Sequence, residues 1–353
     1  MNALHPYLTA LAEGRSLSQE EAEAAMHVMM RGEATPEQIA GFLLGLRARG
    51  ETLDELVGFT RVMRQYAVPV RTQDPHAIDL CGTGGDRSGT FNISTAAAFV
   101  CAGAGVTVVK HGNRSVSSQA GSADVLEVLG VVIDLDAAGV EHCLEEAGIA
   151  FVFAPKFHPA MRHVMPVRKA LGVRTFFNIL GPLCNPAGVR RQLVGAFRSE
   201  VAATMAAILA RLGAEHVITV HSEDGLDELS LSAPTITYEY RRGETIPRPG
   251  RIEPEALGLS RVPLAQLRGG DAMANARLLR QVLAGEPGPH RDVVLLNAAY
   301  ALYVSGRFGD DLQACLEAAR ASLDSGAARL RLERLIEVSS RIAQGSPTPQ
   351  PMA

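Results

Sequence analysis

The stretch from Asp79 to Ser122, DLCGTGGDRSGTFNISTAAAFVCAGAGVTVVKHGNRSVSSQAGS, constrains the fold more than any other part of the chain. Ala77 to Cys81 is a short, mostly apolar run that gives way to Gly82, Thr83, Gly84, Gly85 and Asp86. Asn92, Ser94 and Thr95 then open an alanine-rich helical segment. A second apolar run, Val106 to Val109, ends directly in Lys110, His111, Gly112, Asn113, Arg114 and Ser115. The pattern reads strand, glycine loop, helix, strand, basic glycine loop, helix. Glycine-rich turns permit positive φ and a close approach of backbone to ligand. Helix N-termini offer free N–H groups and partial positive charge to phosphates. Two neighbouring strand ends thus deliver two polar loops to one crevice, the place where open α/β sheets bind ligands.

Two common phosphate motifs are ruled out. A Walker A loop needs a Lys after the glycines, and none follows. A dinucleotide fingerprint needs a third glycine, and Arg87 holds that place; its second strand should end in an acid, and this one ends in Lys110. A basic loop there suits a phosphate or diphosphate better than a free ribose. At 353 residues with net charge −4, the chain has room for one large and one small domain and does not read as a nucleic-acid or membrane-surface binder. No apolar run reaches the roughly 18 residues of a membrane span, and the N-terminus does not read as a signal peptide. Cys81, Cys101, Cys143, Cys184 and Cys315 are scattered and odd in number, which fits reduced thiols in a cytoplasmic protein.

Three capping boxes precede the glycine loop: Ser18 with Glu21, Thr35 with Gln38, and Thr52 with Glu55. They predict helices over Gln19 to Arg31, Pro36 to Arg49 and Leu53 to Tyr66, forming a small helical domain over 1–68. Val68 to His76, with two prolines, reads as a linker or hinge. After the basic loop, Ser122 is expected to cap the next helix, to Gly130. Val131 to Leu135, Ala137 to Ala147 and Ile149 to Phe153 continue a β/α alternation, and so a parallel sheet. Leu193 to Phe197 and His216 to His221 read as strands around a helix at Glu200 to Leu212. Thr235 to Tyr240 reads as part of an antiparallel edge hairpin. Four helices follow, at Asp271 to Ala284, Val293 to Ser305, Asp311 to Asp324 and Arg329 to Ile342. Asn297 to Ala299 read as core, and Gln344 to Ala353 as a disordered tail. The fold class expected is α/β: a small helical domain beside a large domain, 77–154 and 187–343, with a mainly parallel central sheet flanked by helices.

Two further stretches carry chemistry. Ala154 to Pro186 breaks the alternation with five prolines, several cations and aromatics. Ser222 to Ser230, SEDGLDELS, follows a strand with hard oxygen donors around a glycine turn. Read alone, it is a solvated acidic turn or a site for a cation such as Mg2+.

G-T-G-G-D, N-I-S-T and K-H-G-N-R-S-V-S-S, in this order and spacing, resemble the anthranilate phosphoribosyltransferase family, of the nucleoside phosphorylase and phosphoribosyltransferase fold. The likeness runs from about Leu17 to Ile342; Gln119 and Ala120 stand where the family pattern has Lys and Ser. It implies two small-molecule substrates, phosphoribosyl diphosphate as sugar donor and anthranilate as acceptor, two Mg2+ ions, and a homodimer formed through the helical domain. The implied sugar-donor residues are Gly82, Gly85, Asp86, Thr90, Asn92, Ile93, Ser94, Thr95, Lys110, His111, Gly112, Asn113, Arg114, Ser115, Val116, Ser117, Ser118 and Ser122. Lys110 is expected as a phosphate counter-charge. Gly82, Asn113 and Arg168 would meet the acceptor, with the planar fork of Arg168 holding its carboxylate. Ser94, Asp227 and Glu228 would bind metal, with Asp224 orienting the pair. The segment 155–186 would return to the helical domain and supply the acceptor pocket. His111 reads as a loop hydrogen-bonder rather than a base; His158, Arg162, His163 and Arg174 read as structural or rim residues. Two rival readings are a pyrimidine nucleoside phosphorylase of the same fold, whose K-x-S-G-R stretch is not found, and a non-catalytic nucleic-acid-binding relative.

Overall fold

The computed structural model describes residues 3–86, 88–115 and 119–345. Arg87, Val116, Ser117, Ser118 and the end of the expected tail lie outside the described residues. The chain opens with four helices: α1 (His5–Ala12), α2 (Gln19–Met30), α3 (Pro36–Arg49) and α4 (Leu53–Gln65). All three capping boxes form, each with hydroxyl and side-chain partner reciprocally bonded. Helix α1 was not among the sequence expectations, because Leu4 before it makes no side-chain cap.

The order continues β1 (Ile78–Gly82), α5 (Ile93–Gly103), β2 (Val108–Gly112), α6 (Ser122–Leu129), α7 (Ala137–Ala147), β3 (Ile149–Phe153), α8 (Ala154–Phe157), α9 (Met165–Leu171) and α10 (Phe177–Leu180). Then come β4 (Arg191–Gly195), α11 (Ser199–Arg211), β5 (His216–Ser222), β6 (Thr235–Arg241), β7 (Arg248–Ile252), α12 (Ala272–Leu283), α13 (Pro289–Ser305), α14 (Leu312–Asp324) and α15 (Ala327–Ala343). The seven strands form one sheet in the order β3-β2-β1-β4-β5-β6-β7. The first five run parallel, and β6 and β7 add an antiparallel hairpin at one edge. Val131 to Leu135 is not a strand: Val131, Ile133 and Leu135 are buried in alternation, but the segment pairs with no neighbour in the sheet.

Helix α5 is apolar all round and buried all round, as that composition requires. It lies against β1 with α13, α14 and α15 around it. Strand order reverses between β1 and β4, whose register pairs Gly82 with Gly195 at their C-terminal ends. That switch point is where the site is built. On the helical side, Met161, Val164, Val167, Phe176 and Phe177 join the buried cluster of α2, α3 and α4, so residues 155–186 pack with the N-terminal helices. The linker is tied back twice, Val68 N–H to Phe157 O at 2.8 Å and Val70 N–H to Pro186 O at 3.2 Å.

Candidate active site

The paired glycines Gly82 and Gly195 make a bare floor at the ends of β1 and β4. The loop after β5 crosses that floor. A Cβ on Gly195 would sit 1.5 Å from the Asp227 carbonyl oxygen, and one on Gly82 would sit 2.6 Å from Asp227 Oδ2. Past the floor, Gly84 and Gly85 take φ of +64° and +76°, open to glycine at little cost. This turns the Gly84 N–H to Asp227 Oδ2 at 2.7 Å. Beside it the Ser94 N–H, in the first turn of α5, donates to Glu228 Oε1 at 3.1 Å. The adjacent carboxylates therefore sit on the two backbone features that the sequence marks for phosphate: the glycine turn and a helix N-terminus.

Burial raises the proton affinity of Asp227, and Asp86 adds to it; burial raises that of Glu228, with Asp227 adding. Two acids held this way resist sharing a site without a cation. Among the described residues no group of three or more His, Cys, Asp or Glu could hold a metal. The two carboxylates and the Ser94 hydroxyl are hard oxygen donors. That fits Mg2+, which is often bound through one or two carboxylates with substrate phosphates and water completing its shell.

Lys110 is 3 % exposed. Its ammonium donates to Leu80 O at 2.6 Å and to Ser94 Oγ at 3.3 Å, and its charge favours the ionised forms of Asp79 and Glu228. Rather than standing in the open cleft against a phosphate, it lies behind the carboxylate cluster. Asp79, at the core of the sheet, accepts from the His111 N–H at 3.1 Å and from Asn185 Nδ2 at 2.8 Å. Asn185 also donates to Val109 O at 2.8 Å, so β1, β2 and the returning segment are locked together.

The other expected residues divide. Asn92 precedes α5 but does not cap it: Nδ2 donates to Ala120 O and Oδ1 accepts from Asn275. Ile93 and Thr95, each 1 % exposed, turn into the core and leave only backbone to the cleft. Thr90 bonds Ser88 and bridges to Arg268. Gly112 must be glycine, since a Cβ would lie 2.5 Å from Ser122 Oγ. Ser122 does not cap α6: Gly121 occupies that place, and Ser122 Oγ donates to Asn113 O at 3.3 Å. Asn113 is exposed, its Oδ1 accepting from the Arg114 N–H, and the Ser115 N–H donates to Asp124. Arg114 is committed elsewhere, its guanidinium paired with Asp124 and Glu127 and lying over Phe153. Those acids hold its proton more tightly than usual.

Arg168, on α9, has no carboxylate partner among the described residues. It contacts Met165 Sδ at 3.4 Å and lies 5.2 Å from the Phe177 ring. Burial without an anion lowers its proton affinity. The rings of His111 and His158 stand 5.2 Å apart. Both Nε2 atoms are buried without a hydrogen-bond partner among the described residues. Burial depresses His111 to about 3 and His158 to about 4. A base that weak holds no proton at neutral pH, which agrees with His111 as a hydrogen-bonder. Arg162 and His163 bond each other, and His163 packs on Gly32.

Three residues beyond the expected set shape the site. Arg174 donates to Gly85 O at 2.6 Å while its guanidinium lies 4.1 Å from the Phe197 ring, so it ties the returning segment to the glycine turn. Gly195 and Asn297 hold the acidic loop. Gly195 carried a weak signal, a glycine inside an expected strand; Asn297, inside an apolar helix, carried only the oddity of a buried amide. Asp224 accepts from Ser230, Ser232 and the Leu226 N–H, and so stiffens the turn before the acidic pair.

Fold and site together define a sugar-transferring enzyme built from a helical bundle and an α/β domain: residues 5–67 match the glycosyl transferase family's helical bundle domain and residues 74–329 its a/b domain. Within that class, the chain is 64 % identical over 342 residues to the anthranilate phosphoribosyltransferase of Salinibacter ruber, covering 96 % of this chain and 98 % of that one. It is 56 % identical to the Thermomicrobium roseum enzyme of the same name, covering 96 % and 97 %. The crystal structure of the Thermus thermophilus anthranilate phosphoribosyltransferase superposes with a TM-score of 0.88 at 44 % identity, over 96 % of this chain and 100 % of that one. The Saccharomyces cerevisiae enzyme, in complex with PRPP and Mg, gives 0.86 at 27 % identity over 96 % and 98 %. The chain belongs to the anthranilate phosphoribosyltransferase family.

Proposed function

We propose that this chain transfers the phosphoribosyl group of 5-phosphoribosyl 1-diphosphate to the amine of anthranilate, giving N-(5-phosphoribosyl)anthranilate and diphosphate, in tryptophan biosynthesis. The observation that carries the reading is the carboxylate pair lying across the Gly84 and Ser94 amides at the switch point. Those amides are the natural seat of a diphosphate, and the carboxylates beside them the natural seat of its counter-ion. The relatives' names support the transferase over the phosphorylase and the nucleic-acid-binding readings.

In the reaction the bond from the anomeric carbon to the diphosphate oxygen breaks, and a bond from that carbon to the aryl nitrogen forms. The diphosphate leaves with the bonding electrons, and the amine gives up a proton to solvent. An aryl amine is already unprotonated near neutral pH, so no strong base is required. The protein's task is to receive the departing charge and to align the amine. Asp227 and Glu228 would hold Mg2+, leaving the Gly84 and Ser94 amides to donate to diphosphate oxygens. Lys110, behind them, balances the two acids. Mg2+, held by Ser94, Asp227 and Glu228, would neutralise the leaving group; two ions per site match the charge of the diphosphate. Arg168 takes the anthranilate carboxylate, with His111 and His158 lining the way as neutral rings. Because the helical side and the sheet side each supply ligands, the hinge at residues 69–76 closes over both substrates. The chain works as a cytoplasmic homodimer; five free buried cysteines fit that compartment, and no helix among the described residues is long and apolar enough to cross a membrane.

The test is anthranilate fluorescence followed with and without the sugar donor and Mg2+. Consumption only when both are present supports the reading. No consumption, or phosphorolysis of a pyrimidine nucleoside instead, overturns it.

A further inference from the structure

Asn297 lies in the middle of α13, on a helix whose buried residues run almost without break from Val293 to Ser305. Its side chain is fully buried. A buried amide in such surroundings destabilises the fold unless its hydrogen bonds are met. They are met in one direction. Oδ1 accepts from the Leu229 N–H at 3.0 Å, and Nδ2 donates to the Leu229 carbonyl at 2.9 Å, with a further bond to Val293 O at 2.9 Å. One side chain thus bonds both backbone groups of a single residue, as a neighbouring strand would. That residue directly follows Glu228.

The opposite side of the loop is equally confined. The Asp227 carbonyl rests on Gly195 with no room for a methyl group between them. Leu226, Leu229 and Leu231 are buried pegs on the same loop. The backbone of Asp227 and Glu228 is therefore held between the glycine floor and the Asn297 amide. Their carboxylates can swing, but their Cα atoms cannot drift.

We propose that Asn297 is a positioning residue for the metal-binding acids, acting through the Leu229 backbone against the Gly195 floor. It touches neither substrate nor metal. The inference rests on the reading of Asp227 and Glu228 as metal ligands, and it makes Mg2+ affinity the property that Asn297 controls.

The experiment is Mg2+-dependent diphosphate binding, measured by calorimetry on wild type, Asn297→Asp, Asn297→Leu, Ser322→Ala and the pair Asp227→Asn with Glu228→Gln. Asn297→Asp keeps the size but loses the amide donors; Asn297→Leu suits the apolar helix. Ser322 is a buried hydroxyl bonded to Val100 O in the same core, away from the loop, and serves as the structural control. Half-saturating Mg2+ should rise about 10- to 100-fold in both Asn297 variants, the usual cost of losing a supporting partner behind a metal ligand. Ser322→Ala should lower the melting temperature without moving it, and the anthranilate KM should stay unchanged in all folded Asn297 variants. Unchanged Mg2+ dependence in either folded Asn297 variant, with or without a lower melting temperature, overturns the proposal. If the acid pair's own neutralisation leaves Mg2+ dependence intact, the ligand reading itself fails, a separate outcome.

Discussion

On the sheet side of the cleft, Asp227 and Glu228 already have partners: the Gly84 and Ser94 amides donate to them, and Lys110 bonds Ser94 Oγ. On the returning segment, Arg168 has a sulfur and a ring but no carboxylate, and the Nε2 atoms of His158 there and of His111 in β2 have no hydrogen-bond partner among the described residues. Asp227, Glu228 and Arg168 are all half-buried, yet the two acids are satisfied by their own chain and the guanidinium has no anion among the described residues. A diphosphate and its metal are highly charged, and a site for them left open would be a site of strong uncompensated charge. Letting the acids rest on the amides avoids that, at the cost of a displacement on binding. Anthranilate is a small aromatic with one negative group. On the proposed reading, a guanidinium over a phenyl ring can wait for it at modest cost. The contrast gives opposite expectations for mutations on the two sides.

The largest effect is expected from the pair Asp227→Asn with Glu228→Gln. Losing metal-assisted stabilisation of the leaving group should reduce kcat/KM by about 100- to 1,000-fold. Diphosphate binding without metal should move the other way and tighten, because two negative charges leave the amides. Calorimetry in the absence and presence of Mg2+ reads both. Metal-free binding that weakens in the variant would break the contrast, since it would mean that the acids do not compete with the diphosphate.

Next is Arg168→Ala. Removing a charge-assisted carboxylate contact costs about 1.5–3 kcal/mol, which is roughly 10- to 150-fold in the anthranilate KM. The sugar donor's KM should stay within about twofold, because Arg168 makes no hydrogen bond or ion pair with the acidic loop among the described residues. Equal damage to both substrates would show that the two sides are not separable.

The difference in satisfaction also explains what could be read from the chain. The sheet side is made of contiguous motifs, so Gly82 to Asp86, Asn92 to Thr95 and Lys110 to Ser115 stand out in the sequence as candidate phosphate loops. Their local geometry was less so. Lys110 turns inward to bond Leu80 and Ser94, buried at β2, and Arg114 is taken by two acids on α6 that sequence order does not bring near it. Ser122 lost the capping role to Gly121, because Asn113 O lies within reach of its hydroxyl. Val131 to Leu135 has a strand's alternation but no place in the sheet, a matter of tertiary layout. The floor under Asp227 was out of reach, because it needs the register that sets Gly82 against Gly195 across 113 residues of chain.

The smallest effect concerns His158. Burial keeps it neutral, with its ordinary 6.5 lowered to about 4. The unfolded chain takes up that proton near 6.5 and the folded chain only near 4, so acidification across this window favours unfolding. Wild type should therefore lose about 1–2 kcal/mol relative to His158→Leu between pH 7 and pH 5. Denaturant titrations at both pH values measure it. Parallel pH profiles would show that His158 is not held neutral by burial and would place it with the satisfied residues.

The most direct measurement is a crystal structure of the chain with phosphoribosyl diphosphate and Mg2+. The account predicts diphosphate oxygens on the Gly84 and Ser94 amides, with Asp227 and Glu228 turned from those amides to the metal while their Cα atoms stay on the Gly195 floor. A diphosphate bound elsewhere, with both carboxylates still on the amides, would contradict it.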